Sequence, residues 1–262
     1  MILLAVPTQS LREVLTKFRD QIKGHHVLVS ASKGIELKTY KLPIDIISDV
    51  LGTPFRERTV VLSGPSFAVE IMERQPTAVS IGSENRDLVG EVQEIFHSPI
   101  FRAYGVFDPT GLEVAGALKN VIAIASGACG GLGFKLNSRA ALITRGLSEI
   151  TRFGIKLGAN PLTFKGLGGV GDLFLTASSE ESRNYRVGFL LGQGKSLPTI
   201  LQTLGSIAEG VATTQAAYDL AQKLGISAPI TTAVYSVLYG GESIKEAVVK
   251  LISSGSKDEF DY

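Results

Sequence analysis

Short apolar runs alternate with segments of helical spacing in the first 106 residues of the chain. The apolar runs predict five strands, at 2–6, 26–32, 59–64, 77–83 and 101–106. Apolar residues three and four positions apart predict helices at 8–20, 44–51 and 85–96. Continuous apolar strands separated by helices are typical of an open, largely parallel sheet. The first part of the chain is therefore predicted to be an α/β domain.

From residue 108 onward the apolar spacing is helical throughout. It predicts helices at 110–128, 137–158, 182–194, 197–204, 209–224, 228–238 and 242–251. We therefore predict two domains, an α/β domain at 1–107 and an all-helical domain at 108–262. The polar residues 254–262 are expected to fray.

Composition and charge exclude several classes of protein. With 44% hydrophobic and 19% charged residues the chain can form a packed core, and a net charge of +1 lacks the basic excess of a nucleic-acid binder. One cysteine and three histidines provide neither a disulfide nor a metal site. The apolar run at 121–134 is shorter than the roughly 20 residues of a membrane span, and no signal-peptide pattern is present. We expect a cytoplasmic protein without metal, nucleic acid or membrane insertion.

Glycine is unusually frequent. The 29 glycines exceed a typical share of roughly 7%, and their concentration at 127–171 predicts close backbone approach. A literal G-x-G-x-x-G occurs at Gly166, Gly168 and Gly171. A dinucleotide fingerprint follows a strand, whereas no apolar strand precedes this match, so we do not interpret it as a nucleotide-binding loop.

The chain begins inside its first predicted strand. A complete dinucleotide-binding domain opens with a strand, a glycine-rich turn, a helix and a second strand. These parts are not found ahead of residue 2. We therefore expect a Rossmann-like domain that lacks its first βαβ unit.

One lysine stands in a helix of small and apolar residues, "EVAGALKNVIAIASG" at 113–127. On a helix, Lys119 has Ala115, Gly116 and Ala123 among its neighbours at three and four positions. Small neighbours would let a ligand approach the amine. The alternative is a lysine that extends along an apolar wall to reach solvent.

Two other predicted strands end in polar residues. Lys33 follows the second strand, at the sheet edge that faces the ligand crevice in open α/β folds. Gly64 and Ser66 follow the third strand, where Ser66 is expected to lead a helix whose free N–H groups suit an anion. A plain turn with a helix cap explains this second stretch equally well.

The helical half holds two more candidate positions. Asp172 follows the glycine-rich stretch among apolar residues, and a half-buried carboxylate needs a partner, either a lysine amine or a ligand hydroxyl. Ser182, Arg183 and Asn184 open a predicted helix, where an arginine, an amide and free N–H groups suit a phosphate. The alternative is a helix cap with solvated charges.

Taken together, these segments resemble one family, the bacterial-type NAD(P)-dependent glycerol-3-phosphate dehydrogenases. The matching stretches, in family order, are "ASKGIE", "GPSFAVEI", "GLEVAGALKNVIAIASG", "NSRAALITRGLSEI", "TFKGLGGVGDLFLT", "SSEESRNYRVG" and "AEGVATT". The resemblance implies a Rossmann-like domain followed by a helical domain like the C-terminal domain of 6-phosphogluconate dehydrogenase. It also implies hydride transfer between dihydroxyacetone phosphate and sn-glycerol 3-phosphate for phospholipid synthesis, with NAD or NADP as cofactor, in a homodimer.

The same resemblance implies roles for single residues. Lys119 matches the catalytic lysine. Substrate contacts match Lys33, Gly64, Ser66, Lys119, Asp172, Ser182, Arg183 and Asn184. Cofactor contacts match Lys33, Ala68, Arg183, Ile207 and Glu209.

Two other interpretations stay open at this point. A related 3-hydroxyacid or 6-phosphogluconate-type dehydrogenase shares the two-domain plan, although "GLGGVGDL" followed by "SRN" argues against it. A non-catalytic helical remnant, for dimerisation or ligand binding, would account for the absent glycine fingerprint.

Overall fold

The computed structural model describes residues 1–205 and 207–253 of the chain, so the predicted fraying of 254–262 lies outside the described residues. The first part holds five strands, β1 (Ile2–Leu4), β2 (Leu28–Ser30), β3 (Thr59–Ser63), β4 (Thr77–Gly82) and β5 (Phe101–Val106). Four helices connect them, α1 (Thr8–Phe18), α2 (Pro43–Leu51), α3 (Ala68–Met72) and α4 (Arg86–Phe96). All five predicted strands are present, and the first two are shorter than predicted.

The strands form one sheet in the order β1-β2-β3-β4-β5. Neighbouring strands are parallel, except that β3 and β4 run antiparallel, with Val61 opposite Gly82. A parallel connection needs a helix packed on the sheet, whereas α3, which joins these two strands, buries none of its residues. The sheet is therefore largely parallel, as predicted, with one reversal that the apolar pattern did not indicate.

Each face of the sheet has its own apolar core, because successive side chains of a strand point to opposite faces. Leu28 packs with Leu11 and Leu15 of α1 and with Ile46 and Ile47 of α2. The next residue, Val29, packs on the other face with Val60, Ile81 and α4. Helices thus cover both faces, which suits continuously apolar strands.

Eight helices make up the second part of the described chain. They are α5 (Pro109–Gly131), α6 (Leu136–Lys156), α7 (Asp172–Ser178), α8 (Arg183–Gly192), α9 (Leu197–Leu204), α10 (Glu209–Leu224), α11 (Pro229–Tyr239) and α12 (Ile244–Ser253). The apolar pattern did not predict α7, nor the short α3 in the first part. A 3-10 turn (Pro161–Lys165) and a π-helical turn (Leu167–Gly171) precede α7.

Helix α5 is the central element of the helical part. It is long and apolar enough to cross a membrane by length and hydropathy, but 89% of its most apolar window is buried inside the protein. A helix that is apolar all round and covered on all sides is a core helix. It carries Lys119 near its middle.

The segment after β2 joins the two parts of the protein. Ile35 and Leu42 belong to the apolar core of the helical part, although they lie in the first 107 residues. Leu37 and Tyr40 pack against the same core. The proposed division at 107 therefore separates stretches of chain, while this segment crosses from one part to the other in space.

Glycines let α5 and α8 pack with their backbones almost touching. A β-carbon at Gly188 of α8 would lie 1.8 Å from the carbonyl oxygen of Ile124, and one at Gly127 of α5 would lie 2.0 Å from that of Tyr185. Real side-chain atoms do not approach so closely, so only glycine fits. The predicted close backbone approach is confirmed at this contact.

We expect Gly188→Ala to lower the free energy of unfolding by about 1–3 kcal/mol or more, because the methyl group forces the two helices apart. Urea denaturation measures the change. Gly90→Ala in α4 is the matched control, since nothing lies within 4 Å of its added β-carbon and alanine is favoured over glycine in a helix by about 0.5–1 kcal/mol. Equal stability of the two variants would contradict the packing argument.

Candidate active site

A cleft of about 740 Å³ lies where the carboxyl ends of β1 and β2 meet the helical part. Its walls come from the ends of both strands, the start of α3, the middle of α5 and the start of α8. The lining residues are Ala5, Val6, Pro7, Ala31, Ser32, Lys33, Phe67, Ala68, Val69, Lys119, Asn120, Thr176, Glu181, Ser182, Arg183, Asn184, Ile207 and Glu209. Most of the predicted site residues are thus brought to one cleft.

The ammonium group of Lys119 is held inside the protein. The residue is 7% exposed. Its Nζ donates to Oδ1 of Asp172 at 2.5 Å and to Oγ1 of Thr176 at 2.8 Å. The alternative of a lysine extending to solvent is therefore wrong.

Asp172 lies between two lysines. Its Oδ2 accepts from Nζ of Lys33 at 2.6 Å, while Oδ1 binds Lys119. Asp172 is 1% exposed, and a buried carboxylate is stable only when it is paired. The expectation of a lysine partner for Asp172 is confirmed, and the structure provides two lysines. We call Lys33, Asp172 and Lys119 the charge triad.

The glycine-rich stretch places Asp172 between Lys33 and Lys119. It forms the π-helical turn that runs directly into α7, whose first residue is Asp172. A β-carbon at Gly169 would lie 2.2 Å from the carbonyl oxygen of Phe164, and one at Gly168 would meet Leu112. The G-x-G-x-x-G match is therefore a packing feature, and the structure agrees that no strand precedes it.

Burial and charge set the proton affinities of the triad. Burial, together with the nearby Lys33 ammonium, lowers the pKa of Lys119 to about 7, against the opposing effect of Asp172. Burial alone would raise the pKa of Asp172, but the two ammonium groups outweigh it and hold that pKa below its usual value. Lys119 can thus gain or lose a proton near neutrality.

The small neighbours of Lys119 have a different role from the one predicted. A β-carbon at Gly116 would lie 3.4 Å from Cγ of Lys33. Gly116 therefore makes room for the side chain of Lys33, and Ala115 and Ala123 are buried in the helical core. The amine of Lys119 is reached from the cleft, past Asn120 and Thr176, rather than across its small neighbours.

The start of α8 provides the predicted anion-binding features. Oγ of Ser182 accepts from the backbone N–H of Tyr185 and caps the helix, so the alternative of a helix cap is correct for this residue. Asn184 accepts from the backbone N–H of Gly210 through Oδ1, which leaves its amide N–H groups free to donate. Arg183 donates to the carbonyl oxygen of Ile207 and lines the cleft.

The stretch after β3 departs from its prediction. Gly64 has a φ of +147°, and its carbonyl oxygen accepts from Oγ of Ser66 and, at 3.5 Å, from Nζ of Lys33. The expectation that Ser66 leads a helix is wrong, because α3 begins at Ala68 and no side chain caps it. Gly64 and Ser66 are not among the residues that line the cleft, whereas Ala68 is.

Ile207 and Glu209 line the cleft next to Arg183, and Glu209 is the first residue of α10. Ile207 is exposed, and burial raises the pKa of Glu209. The carboxylate oxygens of Glu209 and the hydroxyls of Thr8 and Thr213 are buried, and hydrogen bonds from Thr8 oppose the rise in the pKa of Glu209. These polar atoms converge on Gly34, where a β-carbon would lie 2.9 Å from Oε2 of Glu209.

Sequence reasoning missed Thr176 and Asn120. Thr176 follows Asp172 by four residues, a spacing that brings both to Lys119 only once α7 is known to be a helix. Asn120 is adjacent to Lys119 and lines the cleft. Its position next to a buried lysine was the available signal.

Two family models match the chain and together cover most of it. The model described as NAD-dependent glycerol-3-phosphate dehydrogenase C-terminus matches residues 108–249, and the corresponding N-terminus model matches residues 1–89. The chain belongs to this family. The predicted resemblance is thereby confirmed, and both halves of the chain are accounted for by it.

Relatives in the NAD-dependent glycerol-3-phosphate dehydrogenase family align along the whole chain. A protein of Geobacillus kaustophilus named glycerol-3-phosphate dehydrogenase [NAD(P)+] is 48% identical over 262 residues, which are 100% of this chain and 76% of that protein. One of Leptospira biflexa with the same name is 50% identical over 259 residues, 99% of this chain and 78% of that protein. The chain spans about three quarters of these relatives.

Solved structures agree with the fold. The crystal structure of glycerol-3-phosphate dehydrogenase from Coxiella burnetii superposes with a TM-score of 0.91 at 36% identity, over 96% of this chain and 76% of that one. The predicted Rossmann-like domain followed by a helical domain is confirmed. A D-mandelate dehydrogenase with NADH, at 11% identity and a TM-score of 0.56, shares the fold alone.

We expect Asp172→Asn to lower the pKa of Lys119 below its value of about 7, because the carboxylate is the group that favours the charged amine. Lys33→Met should raise it, because the competing cation is gone. Carbon-13 NMR of lysines labelled at Cε measures both titrations without cofactor, and Lys119→Met assigns the signal. Shifts in the same direction for both variants would contradict the electrostatic description of the triad.

Proposed function

We propose that this chain catalyses the NAD(P)-dependent interconversion of dihydroxyacetone phosphate and sn-glycerol 3-phosphate, and so supplies glycerophospholipid synthesis. The observation that carries the proposal is the buried ammonium of Lys119, held by Asp172 at a cleft whose other wall presents Arg183 and the start of α8. A proton donor and an anion site then face the same space. The names of the relatives support the same activity.

The cleft also suits a nicotinamide cofactor. Its walls include the loops after β1 and β2, which is where ligands bind in open α/β folds. Glu209 lines the cleft, and its carboxylate suits a ligand that brings N–H or O–H donors, such as a carboxamide or a hydroxyl group. We assign Lys33, Ala68, Arg183, Ile207 and Glu209 as cofactor contacts. When bound, NAD or NADP supplies the hydride acceptor or donor of the reaction.

The phosphate of the substrate would bind at the start of α8. Arg183 offers a guanidinium, Asn184 offers amide N–H groups, and the first N–H groups of the helix favour an anion. Ser182 holds the first turn of this helix in shape. Lys33 lines the same space. We assign Gly64, Ser66 and Asp172 to the substrate site through Lys33, because Asp172 and the Gly64 carbonyl accept from its ammonium and Ser66 donates to that carbonyl. Binding of the phosphate fixes the reacting carbon relative to Lys119.

Lys119 would move the proton of the reaction. During reduction its Nζ donates a proton to the carbonyl oxygen of dihydroxyacetone phosphate. During oxidation the neutral amine removes the proton of the hydroxyl at the second carbon. A pKa of about 7 lets one residue serve both directions at neutral pH. Asp172 and Thr176 hold the amine in place between turnovers.

The family resemblance further supports a homodimer in the cytoplasm. The substrate is a small soluble metabolite, and the cofactor is NAD or NADP.

We expect Lys119→Met to lower kcat by about 10²- to 10⁴-fold, the usual contribution of a positioned acid or base. The test is NAD(P)H oxidation with dihydroxyacetone phosphate, with circular dichroism to verify the fold. Near-normal turnover would remove Lys119 from the mechanism.

We expect Arg183→Ala to reduce the preference for dihydroxyacetone phosphate over dihydroxyacetone by roughly 10- to 100-fold, the usual effect of losing a hydrogen bond to a charged group. The ratio of kcat/KM values for the two ketones measures it. Arg186→Ala is the matched control, because Arg186 lies one turn further along α8, is exposed and does not line the cleft. A ratio that stays at the parent value in Arg183→Ala would show that the phosphate binds elsewhere.

A further inference from the structure

Besides Asp172 on α7, the protein has a buried carboxyl group on α5, Glu113, which contacts the α/β part of the protein. Glu113 is 2% exposed. Both of its carboxyl oxygens accept from the backbone N–H of Ile44, at 3.0 and 3.2 Å. Ile44 is the second residue of α2, so its N–H has no partner within that helix. Glu113, which belongs to the helical part, therefore accepts a hydrogen bond from a buried N–H group at the start of α2 in the α/β part.

Ile44 is connected to Lys33 by a short path. The backbone N–H of Glu36 donates to the carbonyl oxygen of Lys41, and that of Tyr40 donates to the carbonyl oxygen of Glu36. These bonds close the 36–41 loop, so the residues on either side of it are neighbours. Ile35 and Leu42, which flank the loop, are both buried in the helical core. We therefore expect a shift at the start of α2 to change the position of Lys33 as well.

One ridge of α5 contacts both ends of this path. Glu113, Gly116 and Lys119 are three residues apart and follow each other along the helix surface. Glu113 holds Ile44, Gly116 lies against the methylene groups of Lys33, and Lys119 shares Asp172 with the Lys33 ammonium. The same helix thus sets the backbone and the side chain of the Lys33 segment.

We propose that Glu113 is a positioning residue, which fixes segment 33–44 against α5 and so keeps the Lys33 ammonium on Asp172. Its relevance to catalysis rests on the proposed dehydrogenase function, whereas its effect on the charge triad does not. Glu113 does not line the cleft, and its side-chain hydrogen bonds go to Ile44, so we expect it to act on the site through the Lys33 segment.

A loss of Glu113 should be detectable at Lys119. The charged groups that face Lys119 are Asp172 and Lys33, and of these Lys33 lowers the pKa of Lys119. If the Lys33 ammonium leaves Asp172, that effect weakens and the pKa of Lys119 rises. The charged groups near Glu113 itself are Asp45 and Arg56, on the side of α2.

Glu113→Ala and Glu113→Asp test the proposal. Alanine removes the acceptor, and aspartate retracts it by one methylene group while it keeps a carboxyl group in place. We expect the pKa of Lys119, followed by Cε carbon-13 NMR without cofactor, to rise towards its value in Lys33→Met, with a smaller rise for aspartate. Glu113→Gln should leave it unchanged, because the amide oxygen can still accept from Ile44.

Glu149→Ala is the matched control. Glu149 is also a fully buried carboxylate, on α6, and it accepts from the backbone N–H groups of Ile230 and Thr231 at the start of α11. Its loss should lower the free energy of unfolding by a similar mechanism, yet leave the pKa of Lys119 where it was. The comparison separates positioning of Lys33 from general destabilisation.

Two results would overturn the proposal. One is an unchanged pKa of Lys119 in folded Glu113→Ala and Glu113→Asp. The other is a further rise in the pKa of Lys119 when Glu113→Ala is added to Lys33→Met, because the effects of residues that act through one another are not additive.

In the active enzyme, the upper pH midpoint of kcat/KM for ketone reduction should shift upward together with the pKa of Lys119. A parent protein that titrates as described but turns over no ketone would contradict the proposed function and leave the positioning role standing.

Discussion

The charge triad is the interaction on which the rest of the structure depends. Lys33, Asp172 and Lys119 come from three distant stretches of chain, after β2, in α7 and in α5. A single carboxylate in an apolar interior is unstable unless a cation reaches it, and removal of Asp172 would leave the buried ammonium of Lys119 without its counter-ion. The sheet edge, the central helix and the short α7 therefore have to meet at this point. The cleft is the space left between these elements at the point where they meet.

The triad has one positive charge too many when all three groups are ionised. Burial makes this excess costly, and the fall in the pKa of Lys119 to about 7 relieves it, because the amine can give up its proton. An anionic ligand bound nearby relieves the excess in another way. The same imbalance thus makes Lys119 able to transfer a proton and makes the cleft attractive to a phosphate. In this protein, stability and the proposed chemistry therefore favour the same two properties, a lowered pKa of Lys119 and an affinity of the cleft for an anion.

The sequence was informative where local pattern and burial act together. Apolar runs located the five strands, and the apolar context of Asp172 correctly indicated that its carboxylate needs a partner, a lysine being one of the two kinds expected. Short elements were missed, since the five residues of α3 and the seven of α7 are too few to show a helical period. The antiparallel β4 and the role of Gly116 depend on which segments meet in space. Gly116 was read as an opening beside Lys119, whereas it accommodates Lys33, and only the tertiary contact distinguishes the two.

The polar residues of α5 show how a buried helix can organise its surroundings. Lys119 holds the first residue of α7 through Asp172, and Ser126, two turns later, donates to the carbonyl oxygen of Ala177 near the end of α7. Helix α7 has no side-chain cap of its own, so these contacts fix both of its ends. In the other direction along α5, Glu113 holds the start of α2. Since an unpaired polar group inside an apolar core is costly, Glu113, Lys119 and Ser126 each need the partner that they have. The polar residues that interrupt an otherwise apolar α5 therefore determine which segments gather around the cleft.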